Sequence, residues 1–233
     1  MNNIGGKKYK EVAKLVEPMK VYTFEQACEL ICKTKTAKFD ETIEISVTLG
    51  VDPRKADQNI RGAVPLPHGL GKNVRVAVFA KGEKVQEAKD AGADLVGGDD
   101  IAAEIQKGNI NFDSVVATPD MMAVVGKIGK VLGPRGLMPS PKVGTVTFDV
   151  AKMVANLKAG MAEYKLDKSS IAHVSVGKAS FGAEKIKENI ESLFAAINKA
   201  KPQTSKGIYL KKASMCCTMG PGIRFDVTEL RNI

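Results

Sequence analysis

The sequence of 233 residues predicts a mixed fold, with α/β order in the middle of the chain and α+β order at both ends. Three observations lead to this prediction. In the middle, short apolar runs alternate with short amphipathic segments, whereas strands near both ends show a two-residue alternation and lie beside amphipathic helices. The length fits one large domain or two ordinary ones, with a core that needs neither disulfides nor a metal.

The first 51 residues predict a capped helix followed by a long strand. Thr23 and Gln26 occupy the two positions of a capping box, ahead of an apolar helical stripe. From Phe39 to Val51 the odd positions are apolar except for Glu41, and the even positions are polar. This pattern is typical of a strand with one dry and one wet face. In a basic protein the wet face is either a docking surface or ordinary exposed sheet.

The middle of the chain predicts a small parallel sheet with helices on it. The run from Pro65 to Gly71 breaks regular structure and indicates a boundary. Strands and short helices then alternate, and we expect strands at 74–80, 95–96 and 114–117 and helices at 83–91, 101–106 and 121–130. Asp149 is positioned to cap one more helix, which Gly160 ends.

The last third returns to two-faced strands. Residues 171–176 alternate again, and a long amphipathic helix with apolar residues from Ile186 to Ile197 ends before Pro202. A strand over 208–219 and a short one over 223–227 complete the predicted elements.

Charge indicates a polyanionic partner. The formal net charge is +9 and the isoelectric point about 9.3, which favours nucleic acid because each neutralised phosphate releases counterions. Of the 35 basic and 26 acidic residues, 12 and 10 lie in 68–159, so the flanks hold 23 and 16. The flanks are therefore expected to form a basic body.

No metal, cofactor or membrane site is expected. The four cysteines are Cys28, Cys32 and the adjacent Cys216 and Cys217, and neither pair has zinc-ligand spacing. We interpret them as free, reduced thiols of a cytoplasmic protein. The N-terminus lacks the apolar stretch of a signal peptide, and no run is long enough to span a membrane.

Two glycine-rich loops are candidate contacts for nucleic acid. In the loop from Thr218 to Gly222, glycines allow close backbone approach and Thr218 offers a hydroxyl, which suits a ribose-phosphate surface or simply a hairpin loop. The run from Gly133 to Pro139 is neither a Walker loop nor a dinucleotide fingerprint. Because Arg135 lies in it and Lys127, Lys130 and Lys142 are near in sequence, it is either a phosphate contact or a structural loop. Lysine groups in the flanks (Lys7, Lys8, Lys10; Lys33, Lys35, Lys38; Lys211, Lys212) favour a joint phosphate-binding role.

A barrel enzyme is the competing class. The run from Ala91 to Gly98 is typical of strand-turn segments in (β/α)₈ barrels. However, a barrel needs eight buried parallel strands, and the two-faced strands at both ends contradict that requirement. His68 and His173 stand far apart with no matching catalytic motif, so we expect no catalytic residues and no enzyme.

Several long motifs resemble the bacterial ribosomal protein L-one family, that of the first protein of the large subunit. They are spread over nearly the whole chain, which makes chance similarity untenable. The motifs are the runs 38–44, 49–58, 61–62 with 66–71, 129–142 with 144–146, and 218–222.

The resemblance implies two domains. Residues 1–67 and 160–233 would form a discontinuous, two-layer α+β domain that binds rRNA, and 68–159 an inserted three-layer α/β domain with a small parallel sheet. The segments joining them would act as hinges at Pro67, Gly69, Gly71, Ala159 and Gly160.

The resemblance also implies function and partners. Family members bind the mobile rRNA stalk of the large subunit near the tRNA exit site and help release deacylated tRNA. Many also repress translation by binding the leader of their own mRNA. We therefore expect a cytoplasmic, ribosome-associated protein that is a monomer when free, uses no cofactor and contacts no membrane. A free RNA-binding regulator outside the ribosome is a third possibility, which cofractionation with ribosomes would separate.

The RNA-binding residues that the resemblance implies fall in four segments. They are Lys38, Phe39 and Thr42; Lys165 and Lys168; Lys212 and Ser214; and Thr218, Met219, Gly220 and Pro221. Cys216 and Cys217 depart from the small hydroxyl residues expected at their positions. Because cysteine is a poor hydrogen-bond donor, this departure places a hydroxyl-mediated RNA contact there in doubt.

Overall fold

The computed structural model describes residues 6–17 and 19–232. The chain divides into a terminal unit, Met1–Gly71 with Ala162–Ile233, and an inserted unit, Lys72–Met161. The first crossing between units lies four residues later, and the second two residues later, than the boundaries expected after residues 67 and 159.

Eight helices and nine strands are present in the described residues. In chain order they are α1 (Lys7–Ala13), α2 (Phe24–Lys33), β1 (Thr42–Leu49), β2 (Arg61–Pro65), β3 (Val76–Phe79), α3 (Glu83–Asp90), β4 (Leu95–Gly97), α4 (Asp99–Gln106), β5 (Ser114–Ala117), α5 (Met122–Lys127), α6 (Gly129–Leu132), α7 (Val150–Gly160), β6 (Met161–Lys165), β7 (Ile171–Lys178), α8 (Ala183–Lys199), β8 (Leu210–Cys217) and β9 (Ile223–Phe225). Short 3₁₀ turns lie at 56–58, 119–121, 141–143, 179–181 and 229–232.

The terminal unit is built on a four-stranded antiparallel sheet in the order β7-β1-β8-β9. Helices α2 and α8 pack on one face of this sheet and bury the apolar side chains of all four strands. Helix α2 starts with the predicted capping box, in which Thr23 Oγ1 accepts from the Gln26 N–H at 3.3 Å and Gln26 Oε1 accepts from the Thr23 N–H at 3.4 Å. Strands β2 and β6 pair in a separate two-stranded sheet that the sequence reading did not predict.

Strand β1 is shorter than the alternation predicted. Its odd positions from Ile43 to Leu49 are buried, as the two-residue period requires. The prediction is wrong for Phe39, which precedes the strand and is 58% exposed. Glu41, the exception in the pattern, is fully buried.

The inserted unit has three layers around a parallel sheet in the order β4-β3-β5, which confirms the predicted fold class. Helices α4, α5 and α6 lie on one face and cover Ala77 and Phe79. Helices α3 and α7 lie on the other and cover Val76 and Val78. Asp149 directly precedes α7 as predicted, although its side chain makes no capping hydrogen bond.

The predicted hinge residues lie beside the two crossings. Pro67, Gly69 and Gly71 follow β2, and both glycines have φ of +65°, a conformation that side chains disfavour. The buried Asn189 of α8 holds this segment, because its side chain accepts from the His68 N–H at 3.0 Å and donates to the Gly69 carbonyl at 3.1 Å. Ala159 and Gly160 end α7, where Gly160 has φ of +105°. Their role as hinges stays a prediction.

Candidate RNA-binding surface

One face of the four-stranded sheet is covered by neither α2 nor α8 and presents polar side chains in rows. Because β1 lies between β7 and β8, the strand register determines which side chains of β7 and β8 lie beside each residue of β1. Ser46 faces His173 on one side and Ser214 on the other, and Ser214 faces Arg224. One row away, Thr48 faces Lys212. We call this side of the sheet the open face.

At one end of the open face the loop after β8 is joined to the start of β1. Thr218 extends the strand pairing, since its N–H donates to the Thr42 carbonyl at 3.1 Å. The Thr218 hydroxyl accepts from the Thr42 N–H at 3.0 Å and donates to the Thr42 carbonyl at 3.2 Å. This hydroxyl, expected to meet ribose, is thus already engaged in fixing the loop and retains one lone pair for a 2′-OH donor.

A buried carboxylate holds together two of the four segments that carry the predicted RNA contacts. Glu41 accepts the backbone N–H groups of Thr36 and Ala37, both at 2.6 Å, and that of Met219 at 2.9 Å. Burial acts to raise the pKa of this carboxyl, but the N–H donors of Ala37, Met219 and Thr36 and the charge of Lys35 hold the pKa below its ordinary value. Glu41 therefore remains an anion and fixes the loop around Met219 to the segment that leads into β1.

The side chains above this carboxylate point outward. Phe39 is 58% and Met219 56% exposed, and Lys38 is exposed beside them in sequence. Pro221 is buried, and Gly220 is packed so closely that a Cβ there would lie 3.0 Å from the Thr34 carbonyl oxygen. The loop is therefore rigid at its base and presents an apolar tip. We call Lys38, Phe39, Thr42 and Thr218–Pro221 the loop cluster.

Of the other predicted lysines, Lys212 and the turn that carries Lys168 lie at the opposite end of the sheet. Lys165 ends β6 in the separate two-stranded sheet. Lys212 pairs with Thr48, six residues along β1 from Thr42, which places it about 20 Å away at roughly 3.3 Å per residue. Lys165 and Lys168 line one shallow pocket with Asp167, in the turn that leads into β7. We call Lys165, Lys168 and Lys212 the lysine cluster.

A polar chain ties the turn of Lys168 to the open face. Asp167 Oδ1 accepts from the N–H groups of Ser169 and Ile171, both at 2.8 Å. Asp167 Oδ2 lies 3.6 Å from His173 Nε2, and His173 Nδ1 lies 3.0 Å from Ser46 Oγ. The backbone N–H groups of Ile171 and Ser169 and the nearby His173 hold the pKa of the Asp167 carboxyl low despite the opposing effect of burial. The turn is therefore held beside the central strand.

The family comparison agrees with this architecture. A sequence model of the Ribosomal protein L1p/L10e family matches residues 31–221 of the 233. That span runs from α2 through the whole inserted unit to the loop after β8.

The chain belongs to the ribosomal protein L1p/L10e family. It is therefore a structural protein of the large ribosomal subunit that binds rRNA, in a family of ribosomal proteins rather than enzymes. No helix within 6–17 and 19–232 is long and apolar enough to cross a bilayer. The same residues contain no group of three His, Cys, Asp or Glu side chains arranged to hold a metal.

Cys216 and Cys217 replace the small hydroxyl residues expected at their positions, but only one of the two, Cys216, lies on the open face. Cys217 is buried and its thiol donates to the Ile31 carbonyl at 3.4 Å, so it faces the core. Cys216 alone lies half-buried on the open face, opposite Glu44. Burial, followed by the charge of Glu44, raises the pKa of the Cys216 thiol, which keeps it protonated.

Two cationic side chains of the open face, Lys178 and Arg224, were not predicted from the sequence. Lys178 donates to Thr42 Oγ1 at 3.0 Å and to the Asp40 carbonyl at 3.2 Å, which places a cation in the loop cluster. Arg224 is exposed beside Ser214. For Glu41 a signal was available, because a charged residue at a dry position of an alternating strand requires a buried partner. Lys178 and Arg224 had no such signal, since only the strand register brings them to this face.

Proposed function

We propose that this ribosomal protein binds the mobile rRNA stalk near the tRNA exit site through its open face. The supporting observation is that the loop cluster lies at one end of a sheet face that α2 and α8 leave open, with Lys212 and the turn of Lys168 at the other end. The rigid apolar tip, made by Phe39 and Met219, would lie against sugars or base edges. Lys165, Lys168 and Lys212 would then supply the salt-dependent attraction to phosphates.

The fixed loop gives this interaction its selectivity. RNA bound by lysines alone is recognised with little regard to sequence or shape. The Glu41 bonds hold the Met219 loop and the Phe39 segment in one arrangement before RNA arrives, which lowers the ordering cost of binding. A stalk with a complementary backbone path would be preferred over RNA that must deform.

Two further roles rest on the same surface. We propose that the protein represses translation of its own mRNA by binding a leader element that resembles the stalk, so the two RNAs would compete for the open face. We also propose that the stalk-bound protein helps deacylated tRNA leave the exit site, with the segments at Pro67–Gly71 and Ala159–Gly160 acting as hinges between the two units. The free protein is proposed to be a monomer.

The test compares two exposed phenylalanines. Phe39 and Phe148 are 58% and 57% exposed, and Phe148 belongs to the inserted unit and is not part of the loop cluster. We expect Phe39→Ala to weaken binding of a stalk-rRNA fragment about tenfold or more, and Phe148→Ala to leave it unchanged, because one stacked or packed base contact contributes about 1–3 kcal/mol. Fluorescence anisotropy with a labelled fragment measures both affinities.

An unrelated RNA of equal length provides the control for specificity. The proposal requires the stalk fragment to bind at least about tenfold more tightly than this RNA at about 150 mM salt, with an affinity that falls as salt rises. Equal affinity for the two RNAs would refute stalk recognition. Equal effects of the two phenylalanine variants would place the site elsewhere. For the regulatory role, an mRNA leader that binds without displacing the stalk fragment would contradict a shared surface.

A further inference from the structure

The net positive charge of the inserted unit comes from one segment. Residues 121–147 contain four basic residues, Lys127, Lys130, Arg135 and Lys142, and no acidic residue. The rest of the inserted unit, 72–120 and 148–161, contains eight basic and ten acidic residues. The unit is therefore nearly neutral as a whole but strongly polarised, which marks this segment as a surface for an anionic partner. We call it the basic segment.

The four cations are free to act on a ligand. Each of them is exposed, and in the part of the chain that the structure describes none has an ion pair or a side-chain hydrogen bond. Elsewhere in the same unit, cations are often paired: Lys84 lies 2.8 Å from Glu87, Lys158 3.4 Å from Asp94, and Arg75 3.4 Å from Asp113. The cations of the basic segment therefore differ from several cations elsewhere in this unit, which have an acidic partner.

The basic segment is also preorganised. Leu132 is fully buried and Pro139 is buried, and they anchor the two ends of the exposed turn 133–136. The Leu137 N–H donates to the Leu132 carbonyl at 3.1 Å and closes the turn. The buried Thr145 hydroxyl accepts from the Ser140 N–H at 2.8 Å and donates to its carbonyl at 3.2 Å, which closes the following loop. A fixed backbone carries the charges, so binding orders little besides side chains.

Two glycines of the segment, Gly126 and Gly136, leave room for another backbone. A Cβ built at Gly126 or at Gly136 would meet no atom within 4 Å, and Gly136 has φ of +74°. Gly133 and Gly136 flank Arg135 in an exposed turn. The basic segment, 121–147, contains no aromatic residue. Open backbone with cations and no ring suits phosphodiester groups rather than stacked bases.

We propose that the basic segment is a second RNA contact, which binds phosphate groups of the backbone without regard to sequence. Arg135 would bind a phosphate from the turn, and Lys127, Lys130 and Lys142 would neutralise neighbouring phosphates. The contact rests on the proposed function only for the identity of the RNA, because its chemistry applies to any RNA. It adds affinity and salt dependence, whereas the loop cluster adds selectivity.

The test uses two charge-matched variants of the full chain. One carries Lys127→Gln, Lys130→Gln and Arg135→Gln. The control carries Lys81→Gln, Lys107→Gln and Lys152→Gln, three exposed lysines outside the basic segment. Both lose three charges, so a difference between them reflects position and not net charge. Affinity for the stalk fragment and for an unrelated RNA duplex is measured from about 50 to 200 mM salt.

We expect the basic-segment variant to lower affinity for both RNAs and to reduce the slope of log affinity against log salt by about 2 to 3, at about 0.9 per lost phosphate contact. The control should change the slope by less than one. Equal slopes in the two variants would overturn the proposal. If instead the protein fails to prefer the stalk fragment and Phe39→Ala has no effect, the proposed function fails, while the slope difference on the unrelated duplex still decides this inference.

Discussion

Replacing Glu41 with Gln tests whether a buried anion holds the loop cluster in place. Glutamine keeps the shape and one carbonyl oxygen, which can still accept from Thr36 and Ala37. Its amide group, however, turns N–H donors toward the Met219 N–H, which now lies 2.9 Å from a carboxylate oxygen. The substitution therefore removes one hydrogen bond and makes the other two neutral.

The expected loss of stability follows from these three bonds. A hydrogen bond to a charged group contributes about 1.5–3 kcal/mol and a neutral one about 0.5–1.5 kcal/mol. Losing the Met219 bond and weakening the other two costs about 3–5 kcal/mol, and release from burying a charge offsets part of it. We expect Glu41→Gln to lower the free energy of unfolding by about 2 kcal/mol, and RNA affinity by up to about thirtyfold if the loss falls on the loop.

Urea unfolding and anisotropy measure these two effects, with Glu44→Gln as the control. Glu44 is exposed on the same strand, so its variant should stay within about 0.5 kcal/mol. The folded-state pKa of Glu41 is lowered from its ordinary 4.5. Its stabilising effect is therefore complete above about pH 4.5 and is lost as pH falls through the folded pKa. The wild type and Glu41→Gln should converge in acid. A variant as stable as wild type at pH 7, or a difference that does not shrink in acid, would refute the reasoning.

Three other predictions concern the terminal unit. Thr23→Ala removes the capping-box hydroxyl of α2 and should cost about 1 kcal/mol in urea unfolding; no loss would show that the cap is not formed in solution. Asn189→Ala removes the partner of the His68 N–H and of the Gly69 and Val176 carbonyls, so we expect a loss of about 2–4 kcal/mol, whereas a loss below about 1 kcal/mol would mean that water replaces the amide. Burial raises the pKa of the Cys28 thiol to about 12 and that of Cys217 to about 11, so mass spectrometry should show neither labelled by a thiol reagent at pH 8 until the protein unfolds; prompt labelling of either would contradict the packing.

Local patterns predicted most of the elements. The capping box placed α2, and the alternation of β1 identified which side chains face the core. Both signals depend on residues close in sequence, and the same holds for the short βα segments of the inserted unit. Strands β2 and β6, of five residues each, were not among the elements predicted from periodicity. Their pairing joins segments about a hundred positions apart, and periodicity carries no information about such a partner.

The site was predicted less completely than the fold. The motifs placed Thr218 and Met219 in a loop between strands, where the structure has them. The sequence did not show that Thr218 already bonds Thr42, or that Lys212 lies about 20 Å from Thr42 along the sheet. These relations come from the pairing of β1 with β8, which is a tertiary contact. The hydrogen bond between Glu41 and the Met219 N–H is also a tertiary contact, so the sequence did not show it.

Hydrogen exchange of the full chain with and without the stalk-rRNA fragment tests the central claim most directly, because it reports which backbone amides become protected. Binding through the open face should slow exchange at 36–42, 165–169 and 210–222, the segments of the loop cluster and the lysine cluster. Exchange in α2 and α8, which cover the opposite face of the sheet, should not change. Protection confined to the helix-covered side, with unchanged exchange at 36–42 and 210–222, would contradict binding through the open face.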